Sequence, residues 1–372
     1  MKKTNNTEAF YALLKAGLWE KNVQLFQYGD IDYYSLYQLA EEQSVVGIVT
    51  AGLEHVVDMK LPQEHLLTFI GNALQIEQCN KSMNLFVADL VSRMGAAGIY
   101  TLLVKGQGTA QCYERPLWRT SGDVDFFLSD DNYDKAKAFL MPLASSVEGE
   151  YVREKHQGMV INECVVELHG RLYGGLSSRI ERELDRVYID TFYGGAVRSW
   201  NNNGVQVFML KAENDVFYVF THILQHFYKE GVGLRQICDW CRLLWSFKDK
   251  LELSFLELRV KKAGLMSEWK AFGAYAVDYL GMPAEVMPFY SSDYKWKRKA
   301  KRINDFILNV GNMGHSRDSH YMKYPFLIRK SISSKRRIGD IINHAKIFPL
   351  DSIVFSFAIM FNGLMSVVRG EG

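Results

Sequence analysis

At 372 residues, 48% hydrophobic and 13% aromatic, the chain can bury a sizeable core with two or three subdomains, which excludes a disordered or low-complexity protein. The formal net charge of +2 conceals an asymmetry: residues 291–346 carry fourteen Lys or Arg against Asp293, Asp305, Asp318 and Asp340, a local +10 that leaves −8 for the rest. Five cysteines, an odd number, argue against a disulfide framework and predict a reducing, cytoplasmic setting.

The first segment, "MKKTNNTEAFYALLKAGLWE", is amphipathic and lacks the uninterrupted apolar run of a signal peptide. Its apolar spacing predicts a helix capped by Thr7, with Glu8 in the first turn. Helical spacing continues through "YYSLYQLAEEQSVVGIVTAGLEHV" and on to about residue 95, with Pro62 at a helix start and Gly98 at a stop. Residues 1–95 therefore read as a helical region.

The pattern then changes. "IYTLLV" (99–104) reads as a strand entering the glycine turn "KGQG", "QGTAQCYER" as a short helix and "DVDFFL" as a strand. "SDDNYDKAKAFLMPL" reads as a helix with Ser129 or Asp130 as N-cap. "EYVREKH", "GMVIN" and "CVVELHG" read as three short strands with a turn at Asn162–Glu163. Residues 96–204 are thus an α/β core. Helical spacing returns in "LKAENDVFYVFTHILQHFYKE" and "LRQICDWCRLLWSFKDK", separated by "GVG", and again near 252–280, so that 205–290 forms a helical domain closing a cleft. Cys238 and Cys241 form a C-x-x-C, but on an apolar helix pattern with no second pair, which favours packing over zinc or redox chemistry. Residues 291–372 make a basic helical region ending in "PLDSIVFSFAIMFNGLMSVV".

Within this frame Asp123 and Asp125 are anomalous. Asp is depleted in strands, and a buried charge normally pairs, binds a metal or is neutralised. On a strand, positions i and i+2 project to one side. Glu167 sits in the same kind of apolar frame on a later strand, and three carboxylates from two strands suit Mg²⁺ or Mn²⁺ with substrate phosphates. Gly122 leaves room for phosphates to approach, and the turn at Gly106 and Gly108 offers backbone N–H groups to a triphosphate.

The order "LLVKGQG", "YERPLWRTSGDVDFFL", "VVELHGRL" resembles the nucleotidyltransferase superfamily of polymerase-beta-like fold, and more narrowly a group of uncharacterised bacterial nucleotidyltransferases. The resemblance is clearest over residues 80–245. It implies an α+β fold: a small mixed-sheet core framed by helical N- and C-terminal regions. It also implies Asp123, Asp125 and Glu167 as catalytic metal ligands and Gly106 as the triphosphate turn. The chain departs from the superfamily at Gln107, which stands where Ser or Gly is usual. Lys105 and Gln107 then become candidates for the phosphate contacts the small residue normally gives.

Supporting residues have more than one reading. Lys105 is a phosphate cation or a solvated strand end. Arg119 contacts phosphate or pairs with a carboxylate. His169 and Arg171 continue the Glu167 strand, with His169 facing the site by alternation or merely satisfied in the fold. His222 and His226 share a helix face but lack the Glu of a zinc-protease motif, so they pack or line the nucleotide pocket. Arg235 and Asp239 are one helical turn apart and either ion-pair or wall the cleft. The expected reaction is nucleoside monophosphate transfer from an NTP to an unidentified small-molecule, protein or RNA acceptor. The alternative is a non-catalytic nucleotide-binding or assembly module. The basic tract and last apolar segment are a solvated surface, a polyanion surface or a peripheral membrane contact, without a transmembrane span.

Overall fold

The computed structural model describes residues 2–152, 154–312 and 326–369. The stretch 313–325, with Arg317 and Lys323 of the basic tract, lies outside the described residues, as do the side chains of 2–4, 326–331, 333–334 and 362–369.

Helix α1 (Lys2–Trp19) begins before Thr7, which lies inside the helix and not at its cap. Asn5 and Asn6 donate their side-chain amides to the carbonyls of Tyr28 and Asp32 at 3.1 and 3.2 Å, which ties down the additional turn. Helix α2 (Tyr33–Glu42) is capped by Asp32, which accepts from the Ser35 amide. Ser44, at φ +57°, separates it from α3 (Val46–Glu54). Helices α1 and α3 meet backbone to backbone: a Cβ on Gly17 would lie 1.8 Å from the Ile48 carbonyl oxygen, and one on Gly52 would lie 2.0 Å from that of Leu13. The long α4 (Gln63–Ala96) follows Pro62 and stops before Gly98, at φ +71°, as the sequence predicts.

The α/β core follows in the order β1 (Leu102–Val104), α5 (Gly106–Ala110), β2 (Asp123–Phe127), α6 (Asp130–Leu140), β3 (Ser146–Val147), β4 (His156–Ile161), β5 (Cys164–His169), α7 (Ser178–Phe192), β6 (Val197–Asn202) and β7 (Val205–Leu210). The seven strands form one mixed sheet, ordered β3-β4-β5-β2-β1-β7-β6. β2 runs parallel to β5 and β1 to β7, and the other neighbours are antiparallel. The expected α+β class with a mixed-sheet core therefore holds.

Two parts of the sheet differ from expectation. Among the described residues of "EYVREKH" only His156 belongs to a strand: Tyr151 and His156 exchange backbone hydrogen bonds, with Lys155 at φ +45°, and β3 forms earlier. The β6–β7 hairpin went unread although "NNNG" carries its turn. Asn203 and Gly204 both have positive φ, the conformation that an Asn-Gly hairpin needs. Strand β7 pairs with β1, so the sheet runs to Leu210 and the expected boundary at 204 falls inside this hairpin.

One sheet face packs Leu103, Val124, Phe126, Val166 and Leu168 against Leu90 and Met94 of α4 and Ala136 and Leu140 of α6. Strand alternation turns Asp123, Asp125, Glu167 and His169 to the opposite face. The helices beyond the sheet are α8 (Ala212–Lys229), α9 (Leu234–Ser246), α10 (Leu253–Ala263), α11 (Met266–Leu280), α12 (Tyr294–Val310), α13 (Phe326–Ile347) and α14 (Pro349–Arg369). The helix expected over 252–280 is two, divided by Gly264 at φ +77°. Phe220, Trp240 and Trp269 form the aromatic centre of this region, with ring centroids 4.7–4.9 Å apart. Cys238 and Cys241 are fully buried beside it with free thiols. Phe355 of α14 packs edge-on against Tyr228 of α8. Among the described residues, no helix is long and apolar enough to cross a membrane.

Candidate active site

Sheet register assembles the site. In the parallel β2–β5 pair Asp125 stands beside Glu167, and Asp123 lies two residues earlier on the same face. One oxygen from each of the three carboxylates lies within 4.8 Å of the others. Asp125 is 1% exposed, whereas Asp123 and Glu167 are partly open.

Two side-chain nitrogens are placed against Asp125. Lys105, at φ +56° in the turn after β1, directs Nζ to 2.9 Å from Asp125 Oδ1. His169 Nε2 lies 2.8 Å from the same oxygen. Burial alone would raise the Asp125 carboxyl, but Lys105 and His169 overrule it and hold it below the ordinary range. Burial would raise Glu167 too, yet hydrogen bonds from His156 and His169 leave it well below that range, which works against its use as a proton acceptor. Asp123 moves the other way, raised first by the Asp125 charge and then by burial. Asp125 Oδ2 is buried with no hydrogen-bond partner, a polar atom that a cation would satisfy. An oxygen donor set with such an orphan fits Mg²⁺ or Mn²⁺.

The remaining candidates divide into those at the cleft and those that support it. Gly106, at φ +43°, forms the turn, and a Cβ there would sit 3.3 Å from the Asp123 carbonyl oxygen. Gly108 does not face a ligand, because a Cβ there would lie 2.7 Å from Met209 Sδ. Gln107 is buried in a polar chain: Ser121 Oγ donates to its Oε1 at 2.7 Å, and its Nε2 donates to Asn80 Oδ1 at 3.1 Å. Asn80 Nδ2 in turn donates to the carbonyls of Leu117 and Arg119. Gln107 therefore braces the turn and the loop before β2, and its amide is not free for a phosphate. Gly122 is open on its Cβ side.

Arg119 pairs bidentately with Asp239, Nε to Oδ1 at 3.1 Å and Nη2 to Oδ2 at 2.5 Å, the carboxylate partner among its two readings. The partner of Asp239 is thus Arg119, not Arg235. Tyr113 also donates to Asp239, while Arg235 donates to the Thr120 carbonyl at 3.0 Å. Together α9 and the loop before β2 form one wall. His222 and His226 on α8 form another, with Nε2 atoms 3.1 Å apart. Burial, then Lys105, pushes His226 down to about 4 and His222 well below its ordinary value, so both imidazoles are neutral at pH 7. Arg171 lies exposed beyond β5.

His156 is the main residue that the sequence reading missed. Its Nε2 lies 3.2 Å from Glu167 Oε2, and its ring lies 4.8 Å from that of His169. The signal was present: a two-residue turn at Asn162–Glu163 pairs Ile161 with Cys164 and, counting outward, His156 with His169. A cavity of about 1000 Å³ bordered by Asp30, Asp32, Glu42 and Asp305 lies elsewhere and shares no residue with this constellation.

No curated protein matches the chain. Among solved structures, an antigenic nucleotidyltransferase-like protein from Paracoccidioides brasiliensis is similar at 14% identity with a TM-score of 0.31, over 50% of this chain and 90% of that one. Residues 29–281 match the model of a family described as an uncharacterised nucleotidyltransferase, a span that holds the sheet, the carboxylates and both helical walls. The chain belongs to this nucleotidyltransferase family.

Proposed function

We propose that the protein transfers a nucleoside monophosphate from an NTP to an acceptor hydroxyl or phosphate, with Mg²⁺ or Mn²⁺ at the carboxylates. The observation that carries this reading is the convergence of Asp123, Asp125 and Glu167 on one sheet face within 4.8 Å. In the reaction an acceptor oxygen bonds to the α-phosphorus, the bond to the bridging oxygen breaks, pyrophosphate leaves and the acceptor proton is released. A divalent ion at the carboxylates would supply charge neutralisation at the phosphates. The chain's own part is positioning and electrostatics. Asp125 is held ionised by Lys105 and His169. Lys105 offers a cation beside the phosphate path, with its ammonium 5.9 Å from the Tyr218 ring centroid. The wall of Arg119, Asp239 and Arg235 fixes the loop that presents Asp123.

One observation favours a second reading, a nucleotide-binding or assembly module without turnover. Lys105 already matches the Asp125 charge directly, and His169 Nε2 lies 2.8 Å from the same oxygen. Thermal stabilisation by each NTP with Mg²⁺ or Mn²⁺, run beside pyrophosphate release, separates the two. Metal-dependent stabilisation by an NTP, lost in Asp123→Asn with Asp125→Asn and accompanied by pyrophosphate release, is the expected result. Stabilisation without release under any acceptor supports the module. No stabilisation by any NTP overturns both.

A further inference from the structure

His156 and His169 approach one oxygen from two strands. Their Nε2 atoms lie 3.2 and 3.3 Å from Glu167 Oε2, and one donor atom from each of the three residues lies within 4.8 Å of the others. Charge-assisted N–H···O⁻ bonds run at about 2.7–2.9 Å, the distance that His169 keeps to Asp125, at 2.8 Å. Both approaches to Glu167 are longer than that and weak as hydrogen bonds. They match a different spacing: with metal–ligand bonds of about 2.0–2.1 Å, neighbouring corners of a tetrahedron are roughly 3.4 Å apart. The rings lie 31° from parallel, on paired positions of β4 and β5, so the backbone itself sets their separation. His156, Glu167 and His169 are each only partly buried, so none is sealed from solvent.

We propose that His156, His169 and Glu167 bind a first-row transition-metal dication at a site distinct from the all-oxygen carboxylate site and sharing Glu167 with it, the ion displacing to solvent the proton that His169 Nε2 shares with Asp125. Two imidazole nitrogens and one carboxylate suit Zn²⁺, Co²⁺ or Mn²⁺, whereas Mg²⁺ prefers oxygen ligands. The inference does not depend on nucleotidyl transfer and stands or falls separately from it. The test uses the full chain stripped of metal, with Co²⁺ as the probe in excess Mg²⁺. Wild type should take up one tightly held Co²⁺ with visible d–d absorption, and Asp123→Asn should keep it. His156→Ala should weaken Co²⁺ binding at least about tenfold, since even a supporting group is worth that much. His156→Gln, which can still donate a hydrogen bond to Glu167, should fail to rescue it. Unchanged Co²⁺ affinity in both His156 variants, or complete displacement of Co²⁺ by Mg²⁺ in wild type, overturns the site. Rescue by His156→Gln assigns the histidine to hydrogen bonding and also overturns it.

Over residues 350–361 α14 exposes an apolar stripe, although Phe355 is buried. Ser352 and Ser356 are buried, while Leu350, Ile353, Val354, Phe357, Met360 and Phe361 are exposed at helical spacing. The stripe begins at a basic corner. Lys299 of α12 sits 4.4 Å from the Phe348 ring centroid, Arg302 donates to the Lys346 carbonyl, and Lys295, Lys297, Arg298 and Lys301 extend the positive surface. We infer that this stripe lies in the surface of an anionic bilayer, with the α12 cations on the headgroups. The full chain should sediment with vesicles of phosphatidylcholine and phosphatidylglycerol, less with phosphatidylcholine alone, and should lose this in Phe357→Ser with Met360→Ser. No sedimentation with either vesicle, or binding unchanged by that variant, overturns the inference. A dimer that the same variant dissociates, without vesicle binding, would assign the stripe to a second copy instead.

Discussion

Replacing Arg119 with Met tests whether the wall beside the carboxylates is held by a buried ion pair. Arg119 and Asp239 are each 5% exposed and joined by two hydrogen bonds. Removing one partner of such a pair costs about 3–5 kcal/mol, because the other charge stays buried. Tyr113 still donates to Asp239 at 2.7 Å, which places the loss at the lower end of that range. The broken hydrogen bond from Arg119 to Ser121 adds about 1 kcal/mol. Arg119→Met should therefore cost about 3–4 kcal/mol in urea unfolding followed by tryptophan fluorescence. Adding Asp239→Leu removes the stranded charge, and the double variant should be more stable than Arg119→Met alone by roughly 2 kcal/mol. A loss below about 1 kcal/mol for Arg119→Met, the size of an exposed pair, would refute the reasoning. Simple addition of the two single losses would refute it equally.

Three further outcomes follow from packing and burial. Gly52→Ala pushes a methyl against the Leu13 carbonyl at the α1–α3 crossing and should cost about 3 kcal/mol by denaturant titration. Gly71→Ala, in the exposed interior of α4 with open space around it, should instead stabilise by about 0.5–1 kcal/mol. Burial raises the Glu181 carboxyl to about 7, against the pull of the Gly175 and Gly174 amides that donate to it. A folded pKa above the unfolded one gives stability that is present below the unfolded pKa and is lost as pH rises through about 7. Glu181→Gln should accordingly match wild type near pH 4 and exceed it by roughly 2–3 kcal/mol above pH 7. Melting curves of the two proteins that stay parallel across that range would count against a buried, uncharged Glu181.

Much of the site was legible because its signals are local. Asp123 and Asp125 announce themselves as acids in an apolar strand, and strand periodicity alone puts both side chains on one face. The turn at Lys105 and Gly106 is equally local, since both positions have positive φ. The roles of Gln107 and Arg119 were not legible. Their partners, Asn80 and Asp239, lie 27 and 120 residues away in sequence, and no short-range pattern marks such pairs. The β6–β7 hairpin is a different kind of miss, because its Asn-Gly turn was visible but overshadowed by the amphipathic helix that follows.

The sequence by itself determined the mixed α+β class, the helical flanks and the facing carboxylates, because helix and strand periods and turn chemistry act over a few residues. Only tertiary structure decided that β2 lies parallel to β5 with Asp125 beside Glu167, that His156 joins them from β4, and that Arg119 pairs with Asp239. Those outcomes depend on how distant strands align and on which buried charge reaches which partner. Burial fixes both, since an unpaired charge inside the fold costs more than almost any local preference.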